Sequence, residues 1–155
     1  MAATTASVVY STQVTHIGSG ASIAAAGFSV ANDLTTGTAL AGTGNLARYP
    51  RADVALFIAP TASIALASNS ILLFRRDLNF DGTNDATIPA ASNEQTFVGA
   101  FQASATTTAS TSHYMHIADV PLAGGDCEFY IKNTLGVNIP AGWTLKVTPK
   151  SDAIA

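Results

Sequence analysis

Charged residues are scarce in this 155-residue sequence: they make up 11% of it, against about 25% in an ordinary soluble domain. The 7 lysines and arginines are outnumbered by 10 aspartates and glutamates, which gives a formal net charge of -3. This balance argues against nucleic acid as a partner, because binding to phosphates requires a basic surface. Alanine, threonine, serine and glycine fill the chain instead. Such a composition is typical of a secreted β-protein or of an assembly subunit whose surface is largely covered by neighbouring subunits.

Cysteine, tryptophan and long apolar runs are also rare. The single cysteine, Cys127, excludes an intrachain disulfide, so the core must hold the fold. Its place in an alternating apolar run predicts a buried residue and not a reactive thiol. The only tryptophan, Trp143, is predicted to anchor the core. No stretch approaches the roughly 20 consecutive apolar residues of a membrane-spanning helix, which argues against a membrane partner.

Helical periodicity is nearly absent, and short runs of alternating apolar and polar residues take its place. The clear alternating runs are 97–101, 113–117, 127–132 and 143–148. Two further runs, 54–58 and 71–74, are apolar on both faces and predict strands buried on both sides. Weaker β-patterns cover 8–17 and 23–30. We also expect the strands at 127–132 and 143–148 to pair with each other through the loop between them.

These runs predict an all-β fold of roughly eight to ten short strands. We expect an antiparallel β-sandwich, jelly-roll-like, with an extended N-terminal segment; a closed barrel is the alternative. Residues 21–155 are predicted to form one domain. Residues 1–20 are predicted to form either an N-terminal arm or an ordinary edge strand, because the stretch before His16 is β-rich and carries no glycine and no charge.

The segment from Asp77 to Asp85 reads DLNFDGTND, with oxygen ligands at alternate positions before a glycine. Oxygen ligands in this spacing suit a hard cation such as Ca²⁺. The position that carries a bidentate glutamate in an EF-hand is Ile88, however, and no flanking helices are predicted. We therefore favour a polar hairpin loop in which the side chains cap their own backbone and Gly82 adopts a positive φ. The alternative is a Ca²⁺ loop with the ligands Asp77, Asn79, Asp81 and Asp85.

No residue pattern in the chain supports catalysis or a cofactor. His113 and His116 are three positions apart on a predicted strand, so they should point to opposite faces and cannot easily chelate one ion. A nucleophile elbow is missing, and the glycine-rich patches lack the lysine and the helix of a phosphate loop. We therefore predict a protein that is not an enzyme and that needs no cofactor.

Two stretches carry a resemblance to known proteins. From Asp77 the chain reads DLNFDGTNDATIPAASNEQTFVGAF, and from Gly125 it reads GDCEFYIKNTLGVNIPAGWTLKVTPKS. Both resemble small virion structural proteins of tailed bacteriophages, in particular the capsid decoration (cement) proteins. The resemblance covers roughly residues 50 to 150. It includes no catalytic motif whose residues could be carried over to this chain.

The resemblance implies a compact β-domain on the outer capsid surface of the virion. Such a protein stabilises the shell by bridging subunits of the major capsid protein, and it commonly acts as a homotrimer. In a trimer, three weak contacts with the capsid are linked, and their combined avidity exceeds the affinity of each one alone. The alternative is a phage tail or head-surface β-sandwich module that binds a host glycan or completes the head or tail. In either case we expect neither nucleic acid nor membrane as a partner.

Overall fold

The computed structural model describes residues 6–30, 49–59, 70–78, 81–94, 96–102, 112–122 and 127–154. Within these ranges the chain is all-β and contains no helix, as its short alternating runs predict. Accordingly, none of the described residues belongs to a helix that could cross a membrane. The strands are β1 (Ala6–Tyr10), β2 (Val14–Gly20), β3 (Arg51–Ile58), β4 (Ser70–Asp77), β5 (Phe97–Gln102), β6 (His113–Pro121), β7 (Cys127–Asn133) and β8 (Trp143–Ile154).

The strands form two antiparallel sheets. The five-stranded sheet has the order β1-β8-β3-β6, with β2 also paired to β8, and the three-stranded sheet has the order β5-β4-β7. The first half of β8 pairs with β2 and its second half with β1, while β3 pairs with the opposite edge of β8. Hence β1 and β2 lie end to end along one edge of β8. Strands β7 and β8 belong to different sheets, so the expected pairing between them is wrong.

One hydrophobic core joins the two sheets. Alternation along most strands places the buried residues on one face, where they contact the buried residues of the other sheet. Strands β4 and β7 are also buried in part on their other face, where Phe74 and Tyr130 lie. Cys127 and Trp143 are fully buried in this core, as predicted, and Trp143 Nε1 donates a hydrogen bond to the Ala21 carbonyl at 2.8 Å. The largest fully buried side chains come from both sheets: Trp143, Tyr130, Phe74, Phe101 and Phe129.

The structure corrects three local predictions. The run 54–58 is buried on one face only: Val54, Leu56 and Ile58 are buried, whereas Ala55 and Phe57 face outward. The predicted strand at 8–17 is split into β1 and β2, because residues 11–13 leave the regular pairing. The predicted strand at 23–30 forms only isolated bridges, one with Ile139 and one with Lys132.

Candidate functional site

The predicted Ca²⁺ loop is a polar turn held by its own side chains wherever it is described. Asp81 Oδ1 accepts hydrogen bonds from the backbone N–H groups of Thr83 and Asn84 at 2.9 and 2.7 Å, and Gly82 has a φ of 87°. Asp77 forms an ion pair with Arg75, and Asp85 forms one with Arg76. The remaining candidate ligand, Asn79, lies outside the described residues. A cation bound here would therefore compete with two arginines and with the turn itself.

The histidines occupy separate environments. His113 is buried and His116 is exposed, so the two side chains lie on opposite faces of β6, as their spacing predicts. His16 is fully buried, and its Nε2 accepts a hydrogen bond from the Phe129 N–H at 2.9 Å, which links β2 to β7. Among the residues that the structure describes, no three His, Cys, Asp or Glu side chains are grouped to hold a metal ion.

The outer face of the five-stranded sheet, meaning the face turned away from the core, carries side chains in rows that cross the strands. One row contains Thr144, Phe57 and Tyr114, which are register partners on β8, β3 and β6. The next row contains Lys146, Ala55 and His116. Rows two residues apart on one face are separated by roughly 7 Å. Because Ala55 has only a methyl group, a depression forms in the middle of the second row.

This depression is an open groove of about 500 Å³. We call it the outer groove, and its lining includes Ala55, Phe57, Tyr114, His116, Thr144 and Lys146. The rings of Phe57 and Tyr114 lie beside each other with centroids 4.6 Å apart and an interplanar angle of 33°. Tyr114 is 77% exposed, the highest value among the exposed large apolar side chains. The groove thus combines an exposed aromatic surface with polar side chains.

A charged cluster occupies the outer face beyond this groove. Lys150 Nζ lies 2.5 Å from Asp53 Oδ1 and 2.9 Å from Asp119 Oδ1. Arg51 forms ion pairs with Asp119 and with Asp152. Burial opposes ionisation of Asp53, but hydrogen bonds from Lys150 and from the Asp119 N–H outweigh it and lower the pKa of Asp53. Its hydrogen bond to Asp53 in turn raises the pKa of Lys150.

These pKa directions predict how stability depends on pH. Ionised Asp53 contributes fully to the free energy of unfolding above the ordinary aspartate pKa of about 3.9. This contribution is lost as the pH falls through the lower pKa that Asp53 has in the folded protein. Charged Lys150 contributes fully to the free energy of unfolding below the ordinary lysine pKa of about 10.4. This contribution is lost as the pH rises through the higher pKa that Lys150 has in the folded protein. We therefore expect Asp53→Asn to lower stability at pH 7 and to reduce the further loss between pH 5 and 2.5.

Urea unfolding at pH 2.5, 5 and 7 measures this effect. Asp85→Asn is the matched control, because the carboxylate of Asp85 belongs to a separate ion pair on the three-stranded sheet. If Asp53→Asn loses as much stability on acidification as the unmodified protein, Asp53 does not contribute to acid sensitivity in the way its contacts imply.

The end of β8 and its partner β1 form a two-stranded ribbon, residues 6–10 with 150–154. Strand β3 pairs with β8 only up to Lys150, so within the described residues most of the ribbon lacks a third strand. Val8, Val9 and Tyr10 are 49%, 39% and 57% exposed. Because adjacent residues point to opposite faces of a strand, both faces of the ribbon present apolar side chains to solvent.

Comparison with known proteins does not identify a relative: no protein-family model, curated protein or solved structure matches this chain. The sequence predicts neither the outer groove nor the exposure of the ribbon; for residues 1–20 it predicts only an arm or an edge strand. The apolar run 54–58 predicts that Phe57 lies on a strand buried on both sides, although the period-two pattern from Val54 to Ile58 allows an outward position for it. The neighbours of Phe57 come from β6 and β8, and no local pattern specifies that register.

Proposed function

We propose that the chain is a non-enzymatic structural protein of a tailed-phage virion, which binds the outer surface of the capsid and stabilises the shell by bridging major capsid protein subunits. The observation that carries this proposal is the ribbon, which exposes Val8, Val9 and Tyr10 at the edge of a sheet. Sheet edges with uncharged apolar residues attract further strands, and natural proteins normally protect them with charges, prolines or covering segments. A binding partner that covers the ribbon is the simplest protection for this sheet edge.

The charge distribution supports the same role. Among the described residues, five of the six lysines and arginines form ion pairs within the chain: Arg51, Arg75, Arg76, Lys132 and Lys150. Few charges would therefore have to lose water when neighbouring subunits cover the surface. A shell protein acts by adding buried area across seams, and it needs no reactive group to do so.

The remaining parts of the proposal follow from the resemblance described above. The protein binds the major capsid protein, self-associates as a homotrimer and needs no nucleic acid, membrane or cofactor. The two sheets around one core suit a jelly-roll-like β-sandwich, which is a common architecture for capsid-associated domains. Avidity in the trimer would multiply weak contacts made by each ribbon.

Charging the ribbon tests this function. Val8→Lys combined with Val9→Lys is expected to weaken co-sedimentation with phage heads that lack the protein by at least about tenfold, because buried lysines must be desolvated. The melting temperature should change by only a few degrees, since both side chains are already half exposed. Ile88→Lys is the matched control, because Ile88 is 38% exposed and lies outside the ribbon.

The absolute mass in solution is measured on the same samples. A mass near three chains, with saturable binding to heads, supports the proposal. If the unmodified protein does not co-sediment with phage heads, the proposed capsid-binding function is wrong. If the charged ribbon binds like the unmodified protein, the ribbon is not the contact surface. Point substitutions leave β1 and β2 paired with β8, whereas removing the N-terminal residues would take both strands from this edge.

A further inference from the structure

The outer groove has the composition of a ligand site and lies apart from the ribbon. Its aromatic wall is formed by Phe57 and Tyr114, whose rings have centroids 4.6 Å apart. Tyr114 is 77% exposed, although burial of an aromatic side chain is strongly favourable. An aromatic surface left in solvent beside a concave floor is the feature by which apolar faces of ligands are bound.

The opposite side of the groove supplies polar groups. Thr144 and Lys146 project from β8 on the outer face, and His116 projects from β6 across Ala55. These side chains can donate hydrogen bonds to hydroxyl and carboxylate oxygens. Because all of them are carried by paired strands, their spacing is set by the sheet register and not by loops.

Charge determines which ligand suits the groove. Among the six lysines and arginines that the structure describes, Lys146 is the one without a carboxylate within ion-pair distance. The nearest row beyond Ala55 contains Asp53, whose Oδ1 lies 2.5 Å from Lys150 Nζ and whose Oδ2 lies 4.0 Å from His116 Nε2. An unpaired ammonium group beside an aromatic wall favours a ligand that has both an apolar face and a negative charge.

We propose that the outer groove binds a saccharide that carries a carboxylate. The pyranose ring would stack with its C–H face on Tyr114, because the face of an aromatic ring is electronegative and attracts the weakly positive C–H groups. Lys146 would bind the carboxylate, and Thr144 and His116 would bind ring hydroxyls. The volume of about 500 Å³ lies within the range of small-ligand sites.

Calorimetric titration with matched sugar pairs tests the site. The probes are sialyllactose against lactose and tetragalacturonate against a neutral galactose tetramer. We expect saturable binding of at least one acidic saccharide and at least about tenfold weaker binding of its neutral partner, since a hydrogen bond to a charged group is stronger than one between neutral groups. No saturable binding of either acidic saccharide would overturn the proposal.

Three variants locate the binding site. Tyr114→Ala and Ala55→Leu should each weaken acidic-saccharide binding roughly tenfold or more, the first by removing the stacking surface and the second by filling the floor. Lys146→Gln should reduce the preference for the acidic member of each pair and leave neutral binding unchanged. Tyr10→Ala is the control, because Tyr10 is also exposed but belongs to the ribbon.

The outcomes separate this site from the capsid function. Acidic-saccharide binding that survives both Tyr114→Ala and Ala55→Leu would place the ligand elsewhere and refute the proposal. Head binding by the same variants should equal that of the unmodified protein, since the groove does not include Val8 or Val9. Saccharide binding and head binding can thus fail independently of each other.

Discussion

Gly20→Ala is expected to destabilise the protein by about 3 kcal/mol, through overpacking of the core. Gly20 ends β2 opposite Trp143 of β8. A Cβ on Gly20 would lie 2.5 Å from Trp143 Nε1 and closer still to Cε2 and Cζ2 of the same ring. The indole is fully buried and donates a hydrogen bond to the Ala21 carbonyl, so it cannot move aside without breaking that contact. The melting temperature should fall by about 10 °C.

A double-mutant cycle with Trp143→Phe identifies the cause. All three atoms nearest to the added methyl group belong to the indole, and a phenyl ring leaves more room there. Trp143→Phe alone should destabilise the core through the cavity that it leaves. Gly20→Ala should then cost at least about 1 kcal/mol less in the Trp143→Phe background than in the unmodified protein. Equal costs in the two backgrounds, measured by urea unfolding, would show that the ring is not the obstacle.

Asn133→Ala should destabilise the protein by a similar amount, about 3–4 kcal/mol, because the substitution removes a buried amide that hydrogen-bonds to several backbone groups. Asn133 is fully buried at the end of β7. Its Nδ2 lies 3.0, 3.1 and 2.6 Å from the carbonyl oxygens of Ile23, Ala24 and Val137, which share its two hydrogens. Its Oδ1 accepts from the Leu135 N–H at 3.0 Å. Truncation leaves the buried Ile23 carbonyl and the buried Leu135 N–H without this partner.

Asn138→Ala is the matched control for this prediction. Asn138 is exposed in the same connection and accepts one hydrogen bond, from the Ala25 N–H at 3.2 Å. Its removal should cost no more than about 0.5 kcal/mol, because water can replace the lost acceptor. If urea unfolding assigns similar losses to the two variants, burial of the Asn133 amide is not what stabilises this junction.

The strands were largely predictable because alternation is a local property. The runs at 97–101, 113–117, 127–132 and 143–148 all lie within observed strands. Strand pairing is non-local and was not predictable in this way: β7 and β8 are neighbours in sequence but belong to different sheets. Each turns inward to the same core, so alternation could not distinguish pairing within a sheet from packing between sheets.

The contrast between local and non-local features also explains which sites could be predicted. The self-capping turn at Asp81 was predictable, because its contacts among the described residues are local ones with Thr83 and Asn84. The outer groove was not, because it joins outward side chains of β3, β6 and β8, and its floor depends on a small residue in the middle strand. The ribbon was hidden for a related reason: its exposure depends on where β3 stops pairing with β8.

The shared use of β8 constrains the order of folding. This strand lies between β3 on one edge and both β1 and β2 on the other, yet it is the last strand of the described chain. During synthesis, β1 and β2 must wait for a partner that emerges more than a hundred residues later, as the pairing of Val9 with Ser151 illustrates. Closing such long loops is slow, so the uncharged strand β1 stays unpaired and aggregation-prone until β8 has been synthesised.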